Sequence, residues 1–284
     1  MLRKLLKYDL KSVGRIWWIV AVSVLGLATF GSLLLRVTVE LIANDGPVLL
    51  YIFGSLISYI CIIVLFSSSF VTLFLTHFRF YKNFFTDEGY LTFTLPVSRR
   101  QLLLSKTINT LIWTSAHGVL LFVCFLIYMT IVPPGEGWLI INPMLLWDMG
   151  EGIVELWKHI GAWLIVYGLE LLLILFTSSL FSIGLVQFCI TIGAVIAKRV
   201  KLLAGIGVYY AVNMILSFAF SFALIFGVST MGEGLVGLLN DLTIIGRQAA
   251  VALILLIVAV ITSALAAILH FSTLGSLERK LNLP

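Results

Sequence analysis

The chain has 284 residues, 61% of them hydrophobic and 11% charged, with a net charge of +5 and a mean hydropathy of +1.14. Soluble domains carry about 45–50% apolar and about 25% charged residues, and 18 basic plus 13 acidic side chains cannot cover the core of a water-soluble protein this long. A cytosolic enzyme, a nucleic-acid-binding domain and a disordered chain are excluded, which leaves an integral membrane protein, all-α because backbone groups in lipid need partners within their own segment.

Residues 1–15 come first. On a helix, Leu2, Leu5, Leu6, Leu10 and Val13 share one face and Arg3, Lys4, Lys7, Lys11 and Arg15 the other, with Asp9 against the pattern. This predicts an interfacial helix ahead of the first span. A cleaved signal peptide fits less well, because no small-x-small site closes a short apolar run. Windows free of Asp, Glu, Lys and Arg then cover residues 16–35, 46–76, 107–135, 171–197, 202–232 and 248–269. Each exceeds the roughly 18 apolar residues that mark a spanning helix. They predict six spans at about 16–39, 48–76, 107–132, 160–190, 202–228 and 249–271, in one transmembrane domain.

The loops between them set orientation. Fifteen of the 18 Lys and Arg residues fall at the two ends, in 77–106 and in 197–201, while the opposite side keeps Arg36, Lys158 and Arg247. This bias predicts cytoplasmic termini in a cell membrane. The basic charge then faces anionic lipid and needs no nucleic acid.

Loop 77–106 is rich in aromatic residues yet broken by charges, which suits a structured segment that docks on another protein. Asp87-Glu88-Gly89 reads as a turn. After Pro96, Ser98 and Gln101 form an S-x-x-Q capping box that starts the next helix. In the third span, His117 reads either as a proton relay or as a hydrogen-bonded packing residue, the second being commoner. The external segment 133–159 carries Trp138, Trp147 and Trp157, as an interfacial belt does. Glu170 stands alone as an acid inside an apolar window: either a candidate for the translocation path, paired with a cationic substrate or a polar side chain such as His117, or a residue a few turns from the outer surface that reaches water. Segment 229–248, with Gly232, Gly234 and Gly237, reads as a broken or re-entrant hairpin or a loop resting on the surface.

Chemical motifs are few. Cys61, Cys124 and Cys189 all lie within spans and have neither disulfide nor zinc spacing. The four histidines lie in separate segments. Gly26 and Gly31 have phosphate-loop separation, but Ser32 stands where the lysine is needed. No catalytic motif or metal-ligand set emerges.

The run Tyr81-Lys-Asn-Phe-Phe-Thr-Asp-Glu-Gly-Tyr-Leu-Thr-Phe-Thr-Leu-Pro-Val-Ser-Arg-Arg-Gln-Leu-Leu-Leu-Ser-Lys106 resembles the loop between helices 2 and 3 of ABC-2-type permeases of Gram-positive bacteria. The opening Met1-Leu-Arg-Lys-Leu-Leu-Lys-Tyr-Asp-Leu-Lys11 is similar to that family's K-Y-[DE]-[LF]-K start. Ile192-Gly-Ala-Val-Ile-Ala-Lys-Arg-Val-Lys201 is similar to its segment between helices 4 and 5, and Leu277-Glu-Arg-Lys-Leu-Asn-Leu283 also has the family pattern.

The resemblance implies the transmembrane subunit of an ABC exporter with an elbow helix, six spans and short cytoplasmic coupling helices. It would work as a pair, with a second copy or a sister permease, on two copies of a separate ATPase that binds ATP and Mg. It implies Phe84, Phe85 and Tyr90 as aromatic anchors for the ATPase, with Asp87, Glu88, Arg99 and Arg100 around them and Gly89 in the turn. Lys198, Arg199 and Lys201 are either further contacts or plain positive-inside anchors. Small polar residues in spans 2 and 4 (Ser67, Ser68, Ser69, Thr177, Ser178, Ser179) either glue helices or line an apolar cavity. The cavity reading and the family both lean to a hydrophobic or amphipathic peptide as substrate. An ATP-independent transporter or channel, and a sensor or immunity subunit, are the alternatives.

Overall fold

The computed structural model describes residues 2–94, 96–131, 144–197 and 200–279. Among them every regular element is a helix: α1 (Leu2–Ala43), α2 (Val48–Phe85), α3 (Asp87–Phe93), α4 (Arg99–Ile131), α5 (Met144–Ile160), α6 (Trp163–Ile196), α7 (Lys201–Asp241) and α8 (Ile244–Arg279). Six are long and apolar enough to cross a membrane: α1, α2, α4, α6, α7 as far as Gly227, and α8.

The helices outrun the windows that predict them. α1 has 42 residues, about 63 Å at 1.5 Å per residue, or twice the roughly 30 Å hydrocarbon core. Charge-free windows mark what lipid can cover, whereas a helix ends only where its backbone finds other partners. Residues 2–15 are therefore helical and continuous with the first span. The expected hairpin at 229–248 is also replaced by helix, since α7 runs to Asp241 and only Leu242 and Thr243 precede α8.

The chain divides into two compact units. The first comprises Met1–Phe78 and Ile108–His159. Its core is a stripe on α1 in which Trp17, Ala21, Val24 and Ala28 recur at spacings of three and four. That spacing holds one face toward Leu65 of α2 and Leu120 and Cys124 of α4. Small residues let the backbones close up. A Cβ on Gly14 would press on the Trp113 ring at 2.9 Å, and one on Gly31 would strike the Tyr128 hydroxyl and the Cys61 side chain. The pairs 14/113 and 31/128 make α1 parallel to α4. Gly31 beside Cys61 and Gly54 beside Thr38 make it antiparallel to α2. Both directions suit three successive crossings.

The second unit comprises Arg79–Thr107 and Ile160–Pro284. In it α6 packs against α7 and α8. The Tyr167 hydroxyl donates to the Gln248 carbonyl at 3.1 Å, and the Thr177 and Thr262 hydroxyls share a hydrogen bond of 2.9 Å. Further along, Gly184 faces Leu269, so α6 and α8 run parallel. α7 turns back on α6 where Gly193 meets Gly205 backbone to backbone.

Candidate functional site

The segment singled out by sequence folds into the second unit as a short helix wedged among the ends of longer ones. α2 stops at Phe85 because Thr86 takes an extended backbone (φ −114°, ψ −174°), and the Thr86 hydroxyl donates to the Lys82 carbonyl at 2.6 Å. α3 starts at once. Asp87, Glu88 and Gly89 form its first turn rather than the isolated turn expected, with Gly89 N–H donating to the Thr86 carbonyl at 2.7 Å. Two carboxylates at a helix N-terminus complement the dipole there.

Helical spacing gives α3 two faces. Gly89 is buried: a Cβ there would stand 2.8 Å from the Phe84 carbonyl oxygen, so glycine alone lets α3 seat on the end of α2. Phe93, one turn on, meets Phe84 edge to face with centroids 5.6 Å apart. The opposite face carries Asp87, Tyr90 and Leu91, with Tyr90 64% and Leu91 70% exposed. Here the structure corrects the sequence reading, because Phe84 and Phe85 are 0% and 4% exposed. They pack on Phe80 inside the unit, Phe84 tilted and Phe85 edge to face, and present nothing outward. Of the three expected anchors, only Tyr90 faces out.

Polar ties hold this hub to four long helices. With the Asn83 amide of α2 turned so that its oxygen faces the lysine, Lys106, buried near the start of α4, donates to that oxygen at 2.5 Å and the Asn83 amide nitrogen donates to Glu88 at 3.3 Å. Glu88 also pairs with Lys82 at 2.7 Å. Lys201 Nζ, at the start of α7, donates to the Phe85 carbonyl at 3.3 Å. The Arg99 guanidinium lies 5.5 Å above the Phe93 ring and donates to the Leu277 and Glu278 carbonyls at the end of α8. The ends of α2, α4, α7 and α8 thus meet around α3. Arg100 is exposed, and Lys198 and Arg199 lie outside the described residues. Sequence reasoning took Lys106 for a topology anchor and passed over Asn83, since one buried lysine in a basic loop gives no periodic signal.

Ser98 caps α4, its hydroxyl accepting from Gln101 N–H at 3.4 Å. Deeper in the unit, Thr107 donates to Gln187 of α6 at 3.0 Å. Glu170 lies on α6 with one carboxylate oxygen, Oε2, buried and without a hydrogen-bond partner among the described residues. In the first unit, His117 is bracketed by Ser68 at 3.1 Å and Thr72 at 3.2 Å. Ser68 donates its own proton to the Leu65 carbonyl, so Nε2 is the ring donor and Nδ1 accepts from Thr72. Both ring nitrogens are thus hydrogen-bonded.

Among the described residues no group of three or more His, Cys, Asp or Glu side chains is placed to hold a metal, and Cys61, Cys124 and Cys189 are buried free thiols. What the hub offers is a rigidly mounted outward face with two aromatic or aliphatic side chains, Tyr90 and Leu91, and one acid, Asp87. Compared with protein families, curated proteins and solved structures, the chain shows no match.

Proposed function

We propose that this chain is the transmembrane permease subunit of an ABC exporter in a bacterial cell membrane, driven by a separate ATPase. The observation that carries the reading is α3. A seven-residue helix sits between two candidate spans, fixed by Gly89 and Phe93 on its inner side and bare at Tyr90 and Leu91 on its outer side. Exposed aromatic and aliphatic side chains with a charged rim are what a docking partner uses as anchors. The 81–106 resemblance points to the same segment, as the coupling helix of ABC-2-type permeases.

In this reading ATP and Mg bind to two partner ATPase subunits, and their closure pushes on α3. Because α3 is tied to α2 and α4, and these in turn to α7 and α8, the push tilts several spans together. In this reading α3 faces the cytoplasm, in line with the positive-inside bias, and residues 2–15 extend the first span on that side. A second copy or a sister permease completes the pathway. The spans, apolar with scattered hydroxyls and Glu170, favour an amphipathic or hydrophobic peptide over a sugar or inorganic ion, which would need many fixed polar partners.

The test is purification of the tagged chain from its native membrane in mild detergent. Stoichiometric recovery of an ABC ATPase, with ATP hydrolysis by the complex stimulated by amphipathic peptides, is the expected result. Recovery without any ATPase, or stimulation by non-peptide compounds alone, contradicts the partner and the substrate respectively.

A further inference from the structure

α5 is an amphipathic helix whose apolar face is bare. At 100° per residue, Asp148, Glu151, Glu155, Lys158 and His159 fall within one arc. Ile153, Val154, Leu156 and Trp157 fall opposite, and all four are exposed. A soluble helix with this pattern would turn that face to a core. Among the described residues nothing covers it.

Three observations decide what does. First, only Gly161 and Ala162 separate α5 from α6, one of the six helices able to cross a membrane. Two residues span at most about 7 Å of extended chain, so the end of α5 stays beside the point where α6 enters the bilayer. Second, Gly161 has φ +61°, the left-handed conformation that ends a helix and redirects the chain. α5 therefore stops there instead of continuing as the axis of α6. Third, its 17 residues reach about 26 Å, but three acids and a lysine on one face rule out a crossing. Trp147 marks the boundary between the faces, its indole N–H donating to Glu151 at 2.8 Å. An indole at the edge of the polar face, its N–H on a carboxylate, suits a membrane–water interface.

We infer that α5 lies in the plane of the membrane surface, its Ile153–Trp157 face sunk among lipid headgroups and upper acyl chains and its acidic face in water. The occupant of the bare face is lipid. The inference needs α6 to span the bilayer and is independent of the transport reading.

Site-directed spin labelling of the whole chain tests it, in liposomes of phosphatidylcholine and phosphatidylglycerol. Nitroxides are attached at Ile153→Cys and Leu156→Cys on one face and at Glu151→Cys and Glu155→Cys on the other. All four positions are exposed, so the fold tolerates them, and the three native thiols are buried and give the unlabelled background. Oxygen concentrates in lipid and a nickel chelate in water. The expected result is several-fold greater collision with oxygen than with nickel at 153 and 156, and the reverse at 151 and 155. Nickel-dominated collision at all four sites would put α5 in water. Shielding of 153 and 156 from both reagents would put protein, such as a second copy, on that face. Either result overturns the inference.

Discussion

Arg99 and Leu277 lie 178 residues apart in sequence, yet the Arg99 guanidinium donates to the Leu277 carbonyl at 2.5 Å and to that of Glu278 at 3.0 Å. A cation on the last carbonyls of a helix satisfies acceptors that have no partner within it and meets the negative end of its dipole. One side chain at the start of α4 thus fixes the end of α8.

Hydrogen bonds from a charged group contribute about 1.5–3 kcal/mol when the site is shielded from water, and Arg99 is half-buried. Arg99→Ala should therefore lower stability by roughly 1–2 kcal/mol and speed amide exchange over the last turn of α8. Arg99→Lys should recover part of the loss, because one ammonium reaches fewer acceptors than a guanidinium. Hydrogen–deuterium exchange over residues 270–279 is the readout, and unchanged protection in Arg99→Ala would show that the cap is not needed.

His117 provides a second case. With Ser68 and Thr72 on its two ring nitrogens, it is a cross-link between α2 and α4. His117→Ala should destabilise by about 1–3 kcal/mol, the cost of stranding buried polar partners. In a double-mutant cycle with Thr72→Val the loss in the double variant should be smaller than the sum of the two single losses. The buried cysteines supply the assay, since a thiol-reactive dye reports their exposure on heating.

The glycines of the second unit separate close approach from mere permissiveness. At Gly193 an added methyl would overlap the backbone of Gly205, whereas at Gly207 nothing lies within 4 Å. Gly193→Ala should therefore force α6 and α7 apart and cost about 1–3 kcal/mol or more. Gly207→Ala should be neutral or stabilising by up to about 1 kcal/mol. Equal melting of the two variants would refute the packing argument.

The six helices long and apolar enough to cross a membrane were legible because charge is costly in lipid, so charge-free windows outline them. Their true ends were not, because nothing in a composition window marks where helix gives way to other backbone pairing. That is why residues 2–15 and 229–241 join neighbouring helices. α3 was located but misread: Asp-Glu-Gly suits a turn, and only the contact with the Phe84 carbonyl shows that Gly89 is there for clearance. The inward pointing of Phe84 and Phe85 depends on Phe80 and Phe93 meeting in three dimensions, which spacing alone does not reveal. α5 was legible in principle, through the three- and four-residue spacing of Asp148, Glu151 and Glu155, but its tryptophans drew the reading toward a belt without a helix.

The central claim is that the outer face of α3 receives the push of a partner ATPase. Tyr90→Ala combined with Leu91→Ala removes that face and leaves Gly89 and Phe93 to hold the helix. The decisive measurement is substrate-stimulated ATP hydrolysis by the purified complex in liposomes, with thermal unfolding of the same sample as control. The account predicts at least a tenfold loss of stimulation, about 1.4 kcal/mol of coupling, with an unchanged melting profile. Full stimulation in the double variant would contradict it.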